Sequence, residues 1–198
     1  MKMLLRTLMA TVLICLATAA VFAQENATNT ASAPSEAKKA FAKLKTLAGT
    51  WQGTVMDIPI TFTIRAASSG TAILHEGHTS GGKPPNHEIT MFYVGGDRLL
   101  ATHYCDGGNR SRMEGKLSAD EKTIELSFVD VTGSTKGGYL KDMVITFVDA
   151  DRHIVAITFI GPDGKPIPLR GEFQRTGPAA NLQLLPRQFG LDTVSTKK

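Results

Sequence analysis

Between residues 50 and 175 apolar and polar side chains alternate in short runs, whereas the stretch before residue 50 follows a different period. In SEAKKAFAKLKTL, spanning 35–47, Ala37, Phe41 and Leu44 fall on one face, Ala48 extends it, and lysines fill the rest. Steps of three and four predict one amphipathic helix. Ser35 is placed to cap its start and Gly49 to stop it. The runs that follow are 50–56, 60–66, 71–79, 87–94, 98–105, 110–117, 122–130, 142–149, 153–160 and 168–175, rich in Val, Ile, Thr, Phe and Tyr. They are separated by SSG, GGKPPN, GGD, DGGN, SADE, TGSTKGG, DADR and GPDGKP, the residues of tight turns. Ten strands with short links and no intervening helix predict an antiparallel meander. An open sheet of that size would leave two long unprotected edges, so closure is favoured. The predicted fold is mostly β: a single antiparallel up-and-down β-barrel of about ten strands with one N-terminal helix.

The strand faces refine this picture. Ile124, Leu126 and Phe128 share a side, as do Met143, Ile145 and Phe147, while 153–160 is apolar on both sides. An enclosed cavity with a partly polar lining produces such mixed patterns. In 110–117 one face is Arg110, Arg112, Glu114 and Lys116. Turned inward, Arg112 and its neighbours would hold an anionic head group; turned outward, they form a solvated face.

The first 23 residues combine Lys2 and Arg6 with an apolar run and a small-residue site ending at Ala23, the pattern of a secretory signal peptide over 1–23. The apolar run is shorter than the roughly 20 residues a permanent span requires. QENATNTASAP, over 24–34, reads as a disordered leader, 35–176 as one barrel domain, and 177–198 as an irregular C-terminal tail. The expected location is therefore exported, periplasmic or secreted. Cleavage would leave 20 basic against 18 acidic residues, a balance that gives no electrostatic case for nucleic acid or an anionic membrane. It would also remove Cys15 and leave Cys105 as a lone thiol, a buried group, a ligand or an intermolecular link.

The run Leu47-Ala48-Gly49-Thr50-Trp51-Gln52-Gly53, between the helix and the first strand, resembles the G-x-W signature of the calycin superfamily. That superfamily includes lipocalins, fatty-acid-binding proteins and nitrobindin-like haem barrels. The resemblance implies that Trp51 closes the bottom of the barrel under a late basic residue, Arg170 or Arg175, with cation–π attraction as the physical cause. DRLLATHYCDGGNRSRM is similar to a segment of secreted bacterial proteins with lipocalin-like barrels. The lipocalin disulfide is missing, and LRGEFQRT lacks the Arg-x-Tyr pair of fatty-acid-binding proteins, so neither ligand carries over.

Meander topology gathers four of the five histidines and Cys105 toward one end of the sheet. If Val94 pairs with Arg98, then His87, His103 and Cys105 share a face, and His75 stands within reach. A shift of one residue breaks that alignment. His75, His87, His103, Cys105 and Arg112 are the candidate ligand-binding residues, and His87, His103 and Cys105 the candidate metal ligands. A haem, implied by the nitrobindin-like resemblance, would take His103, His75 or His153 as axial ligand. Cys105 with a nearby histidine superficially resembles a nucleophile and its base, but nothing in the sequence marks an oxyanion hole or an activated thiol. The bland alternative is a set of hydrogen-bonded rim histidines and a buried thiol. The function this supports is an exported barrel holding a small apolar or amphipathic molecule. A haem or metal protein is the alternative, and a small β-barrel isomerase or cyclase the third.

Overall fold

The computed structural model describes residues 33–79 and 86–178. The expected signal peptide lies outside the described residues, as do nearly all of the expected leader and tail. Among the described residues no helix is long and apolar enough to cross a membrane.

Helix α1 runs Glu36–Lys45, and the Ser35 hydroxyl accepts from the Lys38 backbone N–H at 3.4 Å. It is shorter than its apolar face suggests. The Thr46 hydroxyl donates to the Lys43 carbonyl at 2.7 Å, closing the last turn, so that Ala48 lies in the link and Gly49 opens the first strand. Ala37, Ala40, Phe41 and Leu44 are its buried stripe, packed into the barrel core.

Ten strands follow: β1 Gly49–Val55, β2 Ile58–Ala67, β3 Ala72–Thr79, β4 His87–Gly95, β5 Arg98–Tyr104, β6 Asn109–Leu117, β7 Thr123–Gly133, β8 Tyr139–Phe147, β9 Arg152–Ile160 and β10 Pro166–Pro178. Each pairs antiparallel with its neighbours in sequence, and β10 returns to β1 to close the barrel. β10 continues two residues past the expected domain end at 176 because Thr50 and Gly49 of β1 still pair with Gly177 and Pro178. The β1–β2 link is Met56–Asp57, both at positive φ (51° and 64°), the pair a type I′ hairpin turn requires.

The two ends of the barrel differ. At the base, where β1 begins and β10 ends, Trp51 is fully buried and its indole N–H donates to the Leu47 carbonyl at 2.8 Å. The Arg175 guanidinium lies 4.2 Å from the Trp51 ring centroid, an arrangement that adds electrostatic attraction to packing. Arg175 also donates to the carbonyls of Ala48 (2.5 Å), Thr46 (3.1 Å) and Ala150 (2.8 Å), tying the helix exit and the β8–β9 turn to β10. The basic partner of Trp51 is thus Arg175; Arg170 is exposed on the same strand and borders the opposite half of the barrel. Leu99, Met113, Ile124 and Leu126 fill the interior near the base, each at most 1% exposed. Each such side chain stabilises the fold by about 1.5–3 kcal/mol.

Gly49 is required by this closure. Its φ is 151°, and a Cβ there would sit 2.5 Å from Arg175 Nη1 and 2.9 Å from the Gly177 carbonyl oxygen. Gly49→Ala is therefore expected to lower stability by about 1–3 kcal/mol through backbone strain and displacement of the guanidinium. Thermal unfolding followed by circular dichroism measures it, and an unchanged midpoint would count against this role.

Candidate ligand cavity and its polar wall

The other half of the barrel is hollow. A cavity of about 470 Å³ opens where β2, β4 and β10 begin, within the range of about 300–1,000 Å³ found for small-molecule sites. Ile60, Leu140, Met143, Ile157 and Phe159 contribute apolar wall. Phe62 and Phe173, with ring centroids 4.5 Å apart, are at its floor, and beneath them lie His153 and Trp51. Part of the space exists because Gly77 is an inward position with no side chain: it pairs with Phe62 and Glu88, and a Cβ there would have no neighbour closer than 3.9 Å.

One wall is polar, and the β4–β5 register decides its membership. Gly95 pairs with Arg98 across a two-residue link, so Val94 meets Leu99 and Thr90 meets His103. This differs by one residue from the expected pairing of Val94 with Arg98. Because strand side chains alternate between faces, the shift exchanges the inward set of β4. Glu88 and Thr90 face inward with His103 and Cys105, and His87 faces out. There His87 stacks on His78 with centroids 4.5 Å apart and meets Glu76 Oε1 at 2.8 Å. Arg112 is likewise on the outer face, paired with Asp130. It belongs to the strand positions opposite buried Ser111 and Met113, so its guanidinium does not reach the cavity.

On the inner wall, Thr90 Oγ1 lies 3.0 Å from His103 Nδ1, and Glu88 Oε2 lies 3.6 Å from His103 Nε2. The Cys105 thiol donates toward Glu88 Oε1 at 3.5 Å, and the Gly107 N–H donates to the sulfur at 3.4 Å. His75 also lines the cavity, its ring 4.5 Å from that of Phe62. Glu88, Thr90 and Gly77 were not singled out by the sequence. The signal for Glu88 and Thr90 was present in HEIT, where two polar residues alternate with apolar ones, but reading it inward requires the length of the turn.

Burial sets the charge state of these groups. His103 is lowered to about 4, chiefly by burial, and His75 to about 4 by burial and by the nearby His103. Burial also raises the Glu88 carboxyl, with the Asp106 charge adding and the thiol hydrogen bond opposing. The Cys105 thiol is pushed up to about 11, first by burial, against the Gly107 N–H and with the carboxylates of Glu88 and Asp106. A nucleophilic cysteine needs the opposite environment, so this thiol is not activated for attack near neutral pH. A haem would need a neutral imidazole at the cavity wall. His75 and His103 fit that condition; His153, below the floor, does not reach the cavity.

No protein-family model matches the sequence. A search of curated proteins likewise finds no match. Among solved structures the fold is similar to Rv2717c from M. tuberculosis, at 14% identity and a TM-score of 0.54, covering 69% of this chain and 97% of that one. EF1p2_mFAP2b, in a structure bound to DFHBI, aligns at 16% identity and a TM-score of 0.33 over 69% of this chain and 98% of its own. A protein of unknown function of the DUF3598 family from Nostoc punctiforme aligns at 13% identity and a TM-score of 0.33 over 66% of this chain. The alignment spans 48% of that protein's length. The first of these likenesses supports the ten-stranded barrel fold; the other two are too distant to carry an argument.

Proposed function

We propose that this chain is an exported barrel of calycin type that binds a small, largely apolar molecule, with the Glu88–Thr90–His103–Cys105 wall orienting a polar group of that ligand. The observation that carries the proposal is the 470 Å³ cavity, whose lining is mostly apolar and whose buried polar groups gather on this wall and at His75 beside it. Burying apolar ligand surface supplies the affinity, and a few fixed polar groups supply the orientation. Calycin membership is supported by Gly49, Trp51 and Arg175 meeting at the base as the sequence resemblance implies. Export is supported by the N-terminal pattern, and a water-facing exterior by the ion pairs Arg98–Glu114 and Arg152–Asp149. A haem in the same cavity is the second reading, favoured by the neutral His75 and His103 on its wall; a Soret band in protein purified without added cofactor is its signature.

Native mass spectrometry of the exported protein is expected to reveal a co-purifying small molecule. The companion test is Gly77→Leu, which places a side chain in the cavity at a position with room for its Cβ. It is expected to weaken binding of the apolar fluorescent probe anilinonaphthalene sulfonate by at least about tenfold, equivalent to ~1.4 kcal/mol, while thermal stability is retained. Unchanged probe binding in the variant, with no co-purifying mass and no Soret band in the parent, would sink the proposal.

A further inference from the structure

We infer that Glu88, His103 and Cys105 form a binding site for a divalent cation of the zinc class, with one coordination position left facing the cavity. Their ligand atoms, one from each residue, all lie within 4.8 Å of one another. The Glu88 carboxylate already stands at a bound ion's ligand spacing from each of the other two residues, through one oxygen to each. Zinc bonds of about 2.0–2.3 Å at tetrahedral angles put neighbouring ligand atoms roughly 3.4–3.7 Å apart. Glu88 Oε2 lies 3.6 Å from His103 Nε2 and the other carboxylate oxygen, Oε1, lies 3.5 Å from Cys105 Sγ, so the carboxylate spans the two and either oxygen has one ligand-like neighbour.

The surroundings are those of a metal ligand set rather than of three chance neighbours. His103 and Cys105 are 6% and 8% exposed, so the pair is held by the barrel wall and not by mobile surface side chains. Thr90 Oγ1 contacts His103 Nδ1 and so fixes the ring with Nε2 toward Glu88 and Cys105, the outer-sphere contact that orients a ligating imidazole. The Gly107 N–H points at the sulfur and leaves the side toward Glu88 and His103 for the cation. On binding, the thiol proton leaves to solvent as the metal–sulfur bond forms. One nitrogen, one sulfur and one carboxylate suit zinc or cobalt, and exclude the all-oxygen preference of magnesium and calcium. Three protein ligands on a cavity wall leave the fourth position to water or to a donor atom of a molecule in the cavity. The exterior cluster Glu76–His78–His87 offers three further donor atoms, but it lacks sulfur, and both its histidines are exposed.

The site stands whether or not an apolar ligand fills the cavity, and its test uses the metal alone. The full chain carrying Cys15→Ser, with Cys105 as its sole thiol, is titrated with Co²⁺. The expected result is a thiolate-to-cobalt charge-transfer absorption in the near ultraviolet that Zn²⁺ abolishes by competition. Cys105→Ser should remove the absorption. Glu88→Gln should weaken cobalt binding by more than the roughly 10–100-fold that loss of an outer partner costs, and Thr90→Val by about that outer-partner amount. His87→Ala and Glu76→Gln should leave it unchanged. Circular dichroism checks that each variant is folded, and the parent spectrum together with Thr90→Val decides the matter if Cys105→Ser does not fold. Absence of the absorption in the parent chain, or its persistence at full affinity in Glu88→Gln, overturns the inference. So does its loss in His87→Ala.

Discussion

Trp51→Ala is expected to destabilise the barrel by about 3–5 kcal/mol, the cost of removing a fully buried large aromatic side chain. Three separate contacts disappear with the indole. Its N–H no longer satisfies the Leu47 carbonyl, Arg175 loses the ring face beneath its guanidinium, and the His153 ring, 4.2 Å away and nearly perpendicular, is left against a void. Trp51→Phe should retain most of the packing and lose mainly the hydrogen bond, placing it between the two. Urea unfolding followed by far-ultraviolet circular dichroism is the appropriate measurement, since Trp51 is the chain's one tryptophan and fluorescence would vanish with it. Residues in one contact network do not contribute independently. Arg175→Ala combined with Trp51→Ala should therefore cost less than the sum of the two single changes. A Trp51→Ala variant within about 1 kcal/mol of the parent would mean that the base is closed by the helix alone.

The second large effect is a loss of stability in acid that depends on His153. This imidazole is fully buried among Trp51, Phe62 and Phe173, and neither ring nitrogen has a hydrogen-bond partner among the described residues. Burial lowers it to about 3, with the charges of His75 on β3 and Arg175 on β10 acting in the same direction. The folded value lies below the unfolded one, so the unfolded chain binds more protons between pH of about 6.5 and about 3. Stability is fully present above this window, falls as pH drops through it, and the loss is complete below it. The upper limit for this one group is about 5 kcal/mol. His153→Phe keeps a flat ring against Trp51 and removes the titration. The stability difference between parent and variant should therefore shift in favour of the variant as pH falls. A difference that stays constant from pH 7 to pH 4 would show that His153 is not the responsible group.

How much of this was legible in the sequence depends on which residues carry the information. All ten strands were readable because β-branched runs and turn residues are local signals, and closure followed from the cost of unpaired edges. The base was readable because Gly49, Trp51 and Arg175 resemble a known arrangement; choosing Arg175 over Arg170 required the β1–β10 register. The polar wall was only half readable. His103 on β5 and Cys105 just past its end lie two apart in extended chain and share a face under any pairing, but their third neighbour depends on whether the β4–β5 link holds two residues or three. Gly96 and Asp97 close it with two, which brings in Glu88 and turns His87 out. The doubly apolar run at 153–160 has a similar explanation: Val155, Ile157 and Phe159 face the cavity and are only half-buried, because their neighbours across the barrel are separated from them by a void.

The barrel base also bears on how this fold can change. The helix stripe, the Trp51–Arg175 contact and the packed interior all sit at one end, whereas the cavity and its polar wall occupy the other. Substitutions that resize the cavity or exchange a polar group on its wall therefore act far from the contacts that keep the strands closed. The shape and polarity of the open half can drift without compensating change in the base. Barrels sharing this glycine, tryptophan and arginine are accordingly expected to differ most in the residues equivalent to Gly77, Glu88 and Met143.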